Sequence, residues 1–308
     1  MKGARFGGVR HNGAAVHDAP GMLRRRASHR VASLLAVLAC GSCHEARGGS
    51  PDSSPAALGS EAPTPPDAAP QPGLPPLAGD RPIVPLAVPG FADAVISIPL
   101  GSTGPRPVVV ATHGAYDAPE GLCDDQRWVL HDRAWVVCPR GRPLHDGTFR
   151  YDSGPSLARE IDAAVSALAA RYPGYVDDGA RMYVGFSLGA ILGAWIVAHD
   201  PARFPRAVLI EGGEDRWTDA SARAFARGGG QRVLFACGLR GRVPGAQQAA
   251  AILGRAGVDA HVVLARLPDA GQFIHWYNGP VADEQRAQLG WLVEGDARWS
   301  VLPTEPAR

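Results

Sequence analysis

The sequence has a single lysine, Lys2, among its 308 residues. A Walker-type phosphate loop, a Schiff-base enzyme and a Ser-Lys dyad each need a lysine, so the composition argues against these classes in the folded part. The formal net charge of +1 leaves no large basic field for nucleic acid. Cysteines and histidines are not spaced as zinc ligands, and we expect no metal and no other cofactor.

The N-terminal 80 residues predict an export leader followed by a spacer. Residues 1–40 contain an arginine cluster and a short apolar run, and Met22 offers a second start site. The apolar run is too short to span a membrane. Residues 41–80 are rich in proline, alanine and serine, which predicts a disordered tether.

The end of the leader, Val-Leu-Ala-Cys over residues 37–40, resembles a bacterial lipobox. This resemblance implies cleavage before Cys40 and a lipid on its sulfur; the alternative is an ordinary secretory cleavage nearby. The expected location is the bacterial cell envelope, in the periplasm or on the outer surface, with the membrane as a partner through the lipid.

From residue 81 to about residue 303, strands alternate with helices. An early strand over 94–99 alternates in polarity, whereas the later strands are continuous apolar runs, as expected for buried parallel strands. The later predicted strands are 108–112, 135–138, 182–184, 207–210, 233–236 and 262–264, and the predicted helices are 122–132, 155–171, 188–197, 245–255 and 281–293. This order predicts an α/β fold, a mostly parallel twisted sheet with helices on both faces.

The central motif is Gly-Phe-Ser-Leu-Gly over residues 185–189. It lies between an apolar strand and an apolar helix, the context of a nucleophile elbow. The turn would hold the hydroxyl of Ser187 at the carboxyl edge of the sheet and at a helix N-terminus, where developing negative charge is favoured. The alternative is a structural turn with no chemical role.

With Thr-His-Gly-Ala over 112–115, this elbow and a late histidine, residues 81–296 resemble the α/β-hydrolase superfamily. The resemblance is to bacterial esterase-like and dienelactone-hydrolase-like members. It implies an oxyanion hole built from main-chain N–H groups of Gly114 or Ala115 and of Leu188. The side chain of His113 is then structural.

The same resemblance places the general base after the last strand. His275 lies in the loop that leads to the final helix, whereas His261 begins the strand itself. An imidazole can take up a serine proton at neutral pH. We therefore expect His275 to be the base, with a structural histidine as the alternative.

The acid departs from the pattern of the superfamily, which usually has an aspartate after the strand that ends near Cys237. Gly241 stands about where that aspartate is expected. The loop after the preceding strand offers Glu211, with Glu214 and Asp215 as neighbours. We expect Glu211 to be the acid; the alternatives are a solvated loop residue and a Ser-His dyad without an acid.

Two further expectations concern cysteines and aromatic residues. Cys123 and Cys138 flank a helix and a strand that could bring them together in a disulfide, the alternative being two buried thiols. Trp217 and Trp276 follow sheet strands, so each either lines a pocket or belongs to the core.

Taken together, the residues predict a serine hydrolase that cleaves a carboxylic ester or related acyl bond in a small-molecule substrate. A peptidase of the same fold would share this machinery. A non-catalytic, hydrolase-shaped binding module is the alternative of a different class, because fold alone does not decide function.

Overall fold

A computed structural model describes residues 73–265 and 275–299. The predicted leader with Cys40 and the predicted tether up to residue 72 lie outside the described residues. Among the described residues, no helix is long and apolar enough to cross a membrane.

The tether was predicted to extend to residue 80, but its last residues contact the folded domain. Leu74 and Leu77 donate backbone hydrogen bonds to the carbonyls of Thr103 and Ser102, at 3.0 and 2.9 Å. The folded part therefore begins before residue 81, because paired main-chain groups and two apolar side chains hold this stretch.

The domain is built from short strands and medium-length helices. The strands are β1 Ile83–Leu86, β2 Ala94–Ser97, β3 Val108–Thr112, β4 Trp135–Cys138, β5 Arg142–Pro143, β6 Phe149–Arg150, β7 Met182–Phe186, β8 Arg206–Ile210, β9 Arg232–Cys237 and β10 Asp259–Leu264. The α-helices are α1 Pro119–Leu130, α2 Gly154–Arg171, α3 Leu188–His199, α4 Asp219–Arg227, α5 Val243–Arg255, α6 Pro280–Ala287 and α7 Leu289–Val293.

Eight of these strands form one sheet in the order β1-β2-β4-β3-β7-β8-β9-β10. β2 pairs antiparallel with β1 and β4, and the pairs from β4 to β10 are parallel. The remaining two strands, β5 and β6, form a separate hairpin between β4 and α2. The predicted mostly parallel sheet is confirmed.

Helices cover both faces of the sheet, as predicted. Successive strand residues point to opposite faces, so Tyr183 and Val184 of β7 belong to different core clusters. One cluster packs the sheet against α2, α3, α4 and α5. The other packs it against α1, α6 and α7.

Several elements differ from the prediction. The sequence reading missed β1, the β5–β6 hairpin and α4, which was taken as a polar loop. The helix predicted over 281–293 is divided at Gln288 into α6 and α7. Trp217, which precedes α4, is 4% exposed and packs against Phe225, so it belongs to the core.

Candidate active site

The topology brings three loops to one edge of the sheet. The strand order reverses between β3 and β7, and open α/β sheets bind ligands in the crevice at such a reversal. Gly114 follows β3, Ser187 follows β7, and Glu211 follows β8. Because these strands are parallel neighbours, the three residues lie at the same carboxyl edge.

Ser187 has the backbone conformation of a strained elbow. Its φ and ψ are 50° and −111°, a region that a residue with a side chain rarely occupies. Hydrogen bonds hold the turn: the N–H of Ser187 donates to the carbonyl of Ile210 at 2.9 Å, and that of Gly189 donates to the carbonyl of His113 at 3.2 Å. The residue as a whole is half-buried.

The elbow is so tight that it requires glycine at position 189, two residues after Ser187. A Cβ atom on Gly189 would clash with the carbonyl oxygen of Thr112 and lie 2.6 Å from its hydroxyl. Below the turn, the buried hydroxyls of Thr112 and Tyr183 are 2.7 Å apart, and Tyr183 donates to the carbonyl of Gly189 at 2.8 Å. The elbow is thereby fixed to both β3 and β7.

The predicted oxyanion donors lie beside Ser187. A Cβ atom on Gly114 would lie 3.4 Å from the Cβ of Ser187, so this turn approaches the serine closely. Leu188 is the first residue of α3 and Ala115 is exposed. Within the described residues, the main-chain N–H groups of Ala115 and Leu188 donate to no protein acceptor. N–H groups without an acceptor of this kind can donate to a ligand.

The β5–β6 hairpin holds the turn that contains Ala115. The N–H of Tyr116 donates to the carbonyl of Phe149 at 3.0 Å, and the N–H of Phe149 donates to the carbonyl of Asp117 at 2.8 Å. Tyr116 has a φ of 59° although it is not glycine, and the residue is 66% exposed. The main chain on both sides of this strained residue is fixed by the hairpin.

His113 is buried next to the same turn. Its ring is fully buried, with Nδ1 2.7 Å from the carbonyl of Gly114 and Nε2 2.9 Å from the carbonyl of Arg140. Burial lowers the pKa of His113 below its ordinary value, and the two carbonyl contacts offset part of this effect. Its contacts are those of a structural histidine.

Glu211 is a buried carboxylate with several donors around it. Its side chain is 0% exposed, and its φ of 53° is again unusual for a residue with a side chain. Oε1 accepts hydrogen bonds from the main-chain N–H groups of Gly238 and Leu239, the latter at 2.8 Å. Because β8 and β9 are paired neighbours, the loop after β8 reaches the turn after β9.

His275 lies between this carboxylate and the elbow. Its Nδ1 is 3.6 Å from Oε2 of Glu211. Its ring packs against Phe186, the residue before Ser187, with a centroid distance of 4.8 Å. The side chain is 41% exposed, so it is open to solvent as well as to the crevice.

His261, the other candidate for the base, and Asp215, a candidate for the acid, lie elsewhere. His261 stacks on Trp291 at 3.8 Å and its Nδ1 is 2.9 Å from the side-chain oxygen of Gln288. Asp215 is exposed and pairs with Arg216 at 3.3 Å. Neither residue contacts the cluster around Ser187.

Sequence reasoning missed Arg242 in this cluster. Arg242 lies in the 3-10 turn after β9, where its Nε is 3.2 Å from Oε2 of Glu211. Its Nη1 is 2.6 Å from Oε1 of Glu214. One signal in the sequence could have indicated this residue. Arg242 directly follows Gly241, and Gly241 stands where the superfamily usually has its acid.

Outside this cluster, a disulfide joins Cys123 of α1 to Cys138 of β4, with their Cα atoms 5.9 Å apart. Trp276, next to His275, is 51% exposed.

Among the described residues, no group of His, Cys, Asp and Glu could hold a metal ion. A surface depression beside the hairpin is lined by residues such as Arg150 and Glu160 and includes none of the site residues.

In sequence comparisons, no protein-family profile and no curated protein matches the chain. Solved structures do match. The Thermus thermophilus protein TT1662 is 14% identical with a TM-score of 0.50, over 69% of this chain and 98% of that one. Esterase PE8 is 19% identical with a TM-score of 0.45, over 68% of this chain and all of that one.

An acylaminoacyl peptidase from Pyrococcus horikoshii is 12% identical with a TM-score of 0.49. The match covers 73% of this chain but only 42% of the peptidase. Identities this low inform about the fold alone. The sheet order, the helices on both faces and the match to TT1662 together show that the chain has the α/β-hydrolase fold.

Proposed function

We propose that this protein is a serine hydrolase that cleaves a carboxylic ester or related acyl bond. The observation that carries the proposal is that an acid, an imidazole and a serine are grouped at one sheet edge. Oε2 of Glu211 is 3.6 Å from Nδ1 of His275, whose ring packs on Phe186 beside Ser187. A buried acid, a partly exposed imidazole and a half-buried serine in a strained turn are the parts that acyl transfer needs.

In the proposed reaction, Oγ of Ser187 forms a bond to the acyl carbon while Nε2 of His275 accepts the hydroxyl proton. The N–H groups of Ala115 and Leu188 donate to the oxyanion. The bond to the alcohol then breaks, and the alcohol leaves with the proton held by His275. A water molecule attacks the acyl-enzyme in the same way and releases the acid and the free serine.

The proposed part of Glu211 is to fix the imidazole tautomer. A carboxylate facing Nδ1 keeps the proton on that nitrogen and leaves Nε2 free to accept the proton of Ser187. The same negative charge stabilises the imidazolium that forms during attack. The two main-chain donors to Oε1 hold the carboxylate in place.

The binding-module alternative predicts no activated serine. An alkyl fluorophosphonate probe bonds covalently to an activated serine, so we expect one label on the native protein and none on Ser187→Ala. Release of p-nitrophenol from short-chain esters is expected to disappear in the same variant. A native protein that takes no label, or a Ser187→Ala variant that hydrolyses as fast as the native protein, would contradict the proposal.

A peptidase would also be labelled, so the substrate must separate it from an esterase. We expect an alkyl ester to be hydrolysed faster than the amide with the same acyl group. An equal or faster rate on the amide would favour the peptidase.

We also propose that the protein is exported and held at the cell envelope by a lipid on Cys40. The disulfide between Cys123 and Cys138 supports export, because disulfides persist in oxidising compartments. Expressed with its leader in a Gram-negative bacterium, the protein should partition into the membrane fraction, and Cys40→Ser should not. A soluble protein with Cys40 intact would favour plain secretion.

A further inference from the structure

Arg242 and His275 approach the same oxygen atom of Glu211. Nε of Arg242 is 3.2 Å from Oε2, and Nδ1 of His275 is 3.6 Å from it. Neither Nε of Arg242 nor Oε2 of Glu211 has an aligned hydrogen bond among the described residues. The guanidinium and the imidazole therefore share one buried oxygen as their nearest carboxylate atom of Glu211.

A second carboxylate fixes Arg242 in this place. Nη1 of Arg242 is 2.6 Å from Oε1 of Glu214, whose side chain is 14% exposed. The arginine side chain itself is 32% exposed. Since a guanidinium stays protonated over the whole working range of an enzyme, Arg242 is a permanent positive charge in contact with the acid.

We propose that Arg242 is a positioning residue that sets the pH range over which His275 accepts a proton. The guanidinium places a permanent positive charge beside Oε2 of Glu211, which is the oxygen that faces the imidazole. This inference rests on the proposed function, because the proton transfer to His275 is a step of that reaction.

The sign of the effect follows from the charges of this cluster. Among the described residues, the imidazole approaches Glu211, Arg242 contacts Glu211, and Arg242 also pairs with Glu214; these two carboxylates and one guanidinium leave one net negative charge. The thiol of Cys237 at the end of β9 also faces this group, and burial with the two glutamates raises its pKa to about 12, so it is neutral. Removing Arg242 would leave two negative charges and favour the imidazolium.

The magnitude follows from the distances. The two contacts at Oε2 place Nε of Arg242 within about 7 Å of Nδ1 of His275. At that separation a unit charge in a partly hydrated site shifts a titration midpoint by about 0.5–1 pH unit. Solvent screening keeps the shift in this range, because the side chain of His275 is 41% exposed.

The test compares pH profiles of kcat/KM for ester hydrolysis. We expect the acidic limb of Arg242→Gln to lie about 0.5–1 pH unit above that of the native protein, and Arg242→Lys, which keeps the charge, to lie between them. Glu214→Gln removes a negative charge and should move the limb to lower pH. Arg240→Gln is the matched control, because Arg240 is an exposed arginine of the same turn.

Superimposable limbs for Arg242→Gln and the native protein would overturn the inference. An equal shift in Arg240→Gln would also overturn it, since the effect would then be one of general surface charge. If Arg242→Gln does not fold, the test is made with Glu214→Gln. An acidic limb of Glu214→Gln that stays in place or moves to higher pH overturns the inference.

A second measurement does not need turnover. The carbon-bound ring protons of His275 can be titrated by NMR in Ser187→Ala and in Ser187→Ala with Arg242→Gln, with His275→Asn for assignment. We expect the same upward displacement of the midpoint, and no displacement would overturn the inference. If the displacement is present but the native protein takes no phosphonate label, the proposed function fails while the charge coupling holds.

Discussion

Replacing Glu211 with glutamine tests the proposed acid with little change in shape. The glutamine oxygen can still accept from the N–H groups of Gly238 and Leu239, which hold the carboxylate now. Its amide nitrogen would then take the place of Oε2, the atom 3.2 Å from Arg242 and 3.6 Å from His275. A donor would face two donors, and the fold would lose a buried negative charge.

His275 can relieve this clash by moving its proton from Nδ1 to Nε2, but the ring then cannot accept the proton of Ser187. We expect kcat/KM for ester hydrolysis to fall about 100-fold, or about 2.7 kcal/mol of barrier. A larger loss is not expected, because His275 is 41% exposed and water can partly stabilise its charged form.

The assay is steady-state hydrolysis of a p-nitrophenyl ester on the pH plateau, with the melting temperature measured in parallel. Asp215→Asn is the matched control, because it removes an exposed carboxylate from the same loop and should leave kcat/KM unchanged. A folded Glu211→Gln variant that keeps more than half of the native kcat/KM would refute the reasoning. The active site would then be a Ser-His dyad.

Two further predictions concern stability. Burial, and then the neighbouring Asp124, raises the pKa of Asp125 to about 6, so this carboxylate costs stability as the pH rises from about 4 to about 6. Asp125→Asn should therefore stabilise the fold at pH 7 by about 1 kcal/mol, a value reduced for its partial exposure, and leave it unchanged at pH 4; an equal gain at both pH values would contradict this. The disulfide between Cys123 and Cys138 closes a loop over a sequence separation of 15, so its reduction should cost about 3 kcal/mol and lower the melting temperature by about 10 °C. An unchanged melting temperature in dithiothreitol would contradict the second prediction.

The sheet could be predicted from the sequence because its parallel strands are buried on both faces and read as continuous apolar runs. Helix α4 could not, since only Ala222 and Phe225 of its nine residues are buried. Its start is marked instead by a capping box between Thr218 and Ser221, a signal carried by small polar residues that also occur in loops. The polar sequence of α4 therefore did not indicate a helix, although the packing of its two buried residues stabilises one.

The site was predictable to different degrees. Ser187 follows from a local motif with its flanking elements, but Glu211 and His275 are 64 residues apart in sequence, and nothing local relates them. Only the pairing of β8 with β9 brings the loop of Glu211 to the turn that contains Gly241 and Arg242. The lack of an acid at Gly241 is visible in the sequence itself, whereas the charge supplied by its neighbour Arg242 depends on a contact that requires the folded sheet.

The contact between the β5–β6 hairpin and the turn that contains Ala115 has a consequence for how this protein can diverge. Both hydrogen bonds run between main-chain atoms, from Tyr116 to Phe149 and from Phe149 to Asp117. Main-chain pairing does not depend on side-chain identity, so the hairpin side chains can change, and its tip can lengthen, while the neighbouring turn keeps its conformation. Mutation of this hairpin alone can therefore give relatives of this protein different residues around the crevice. The residues of the proposed active site need not change with it.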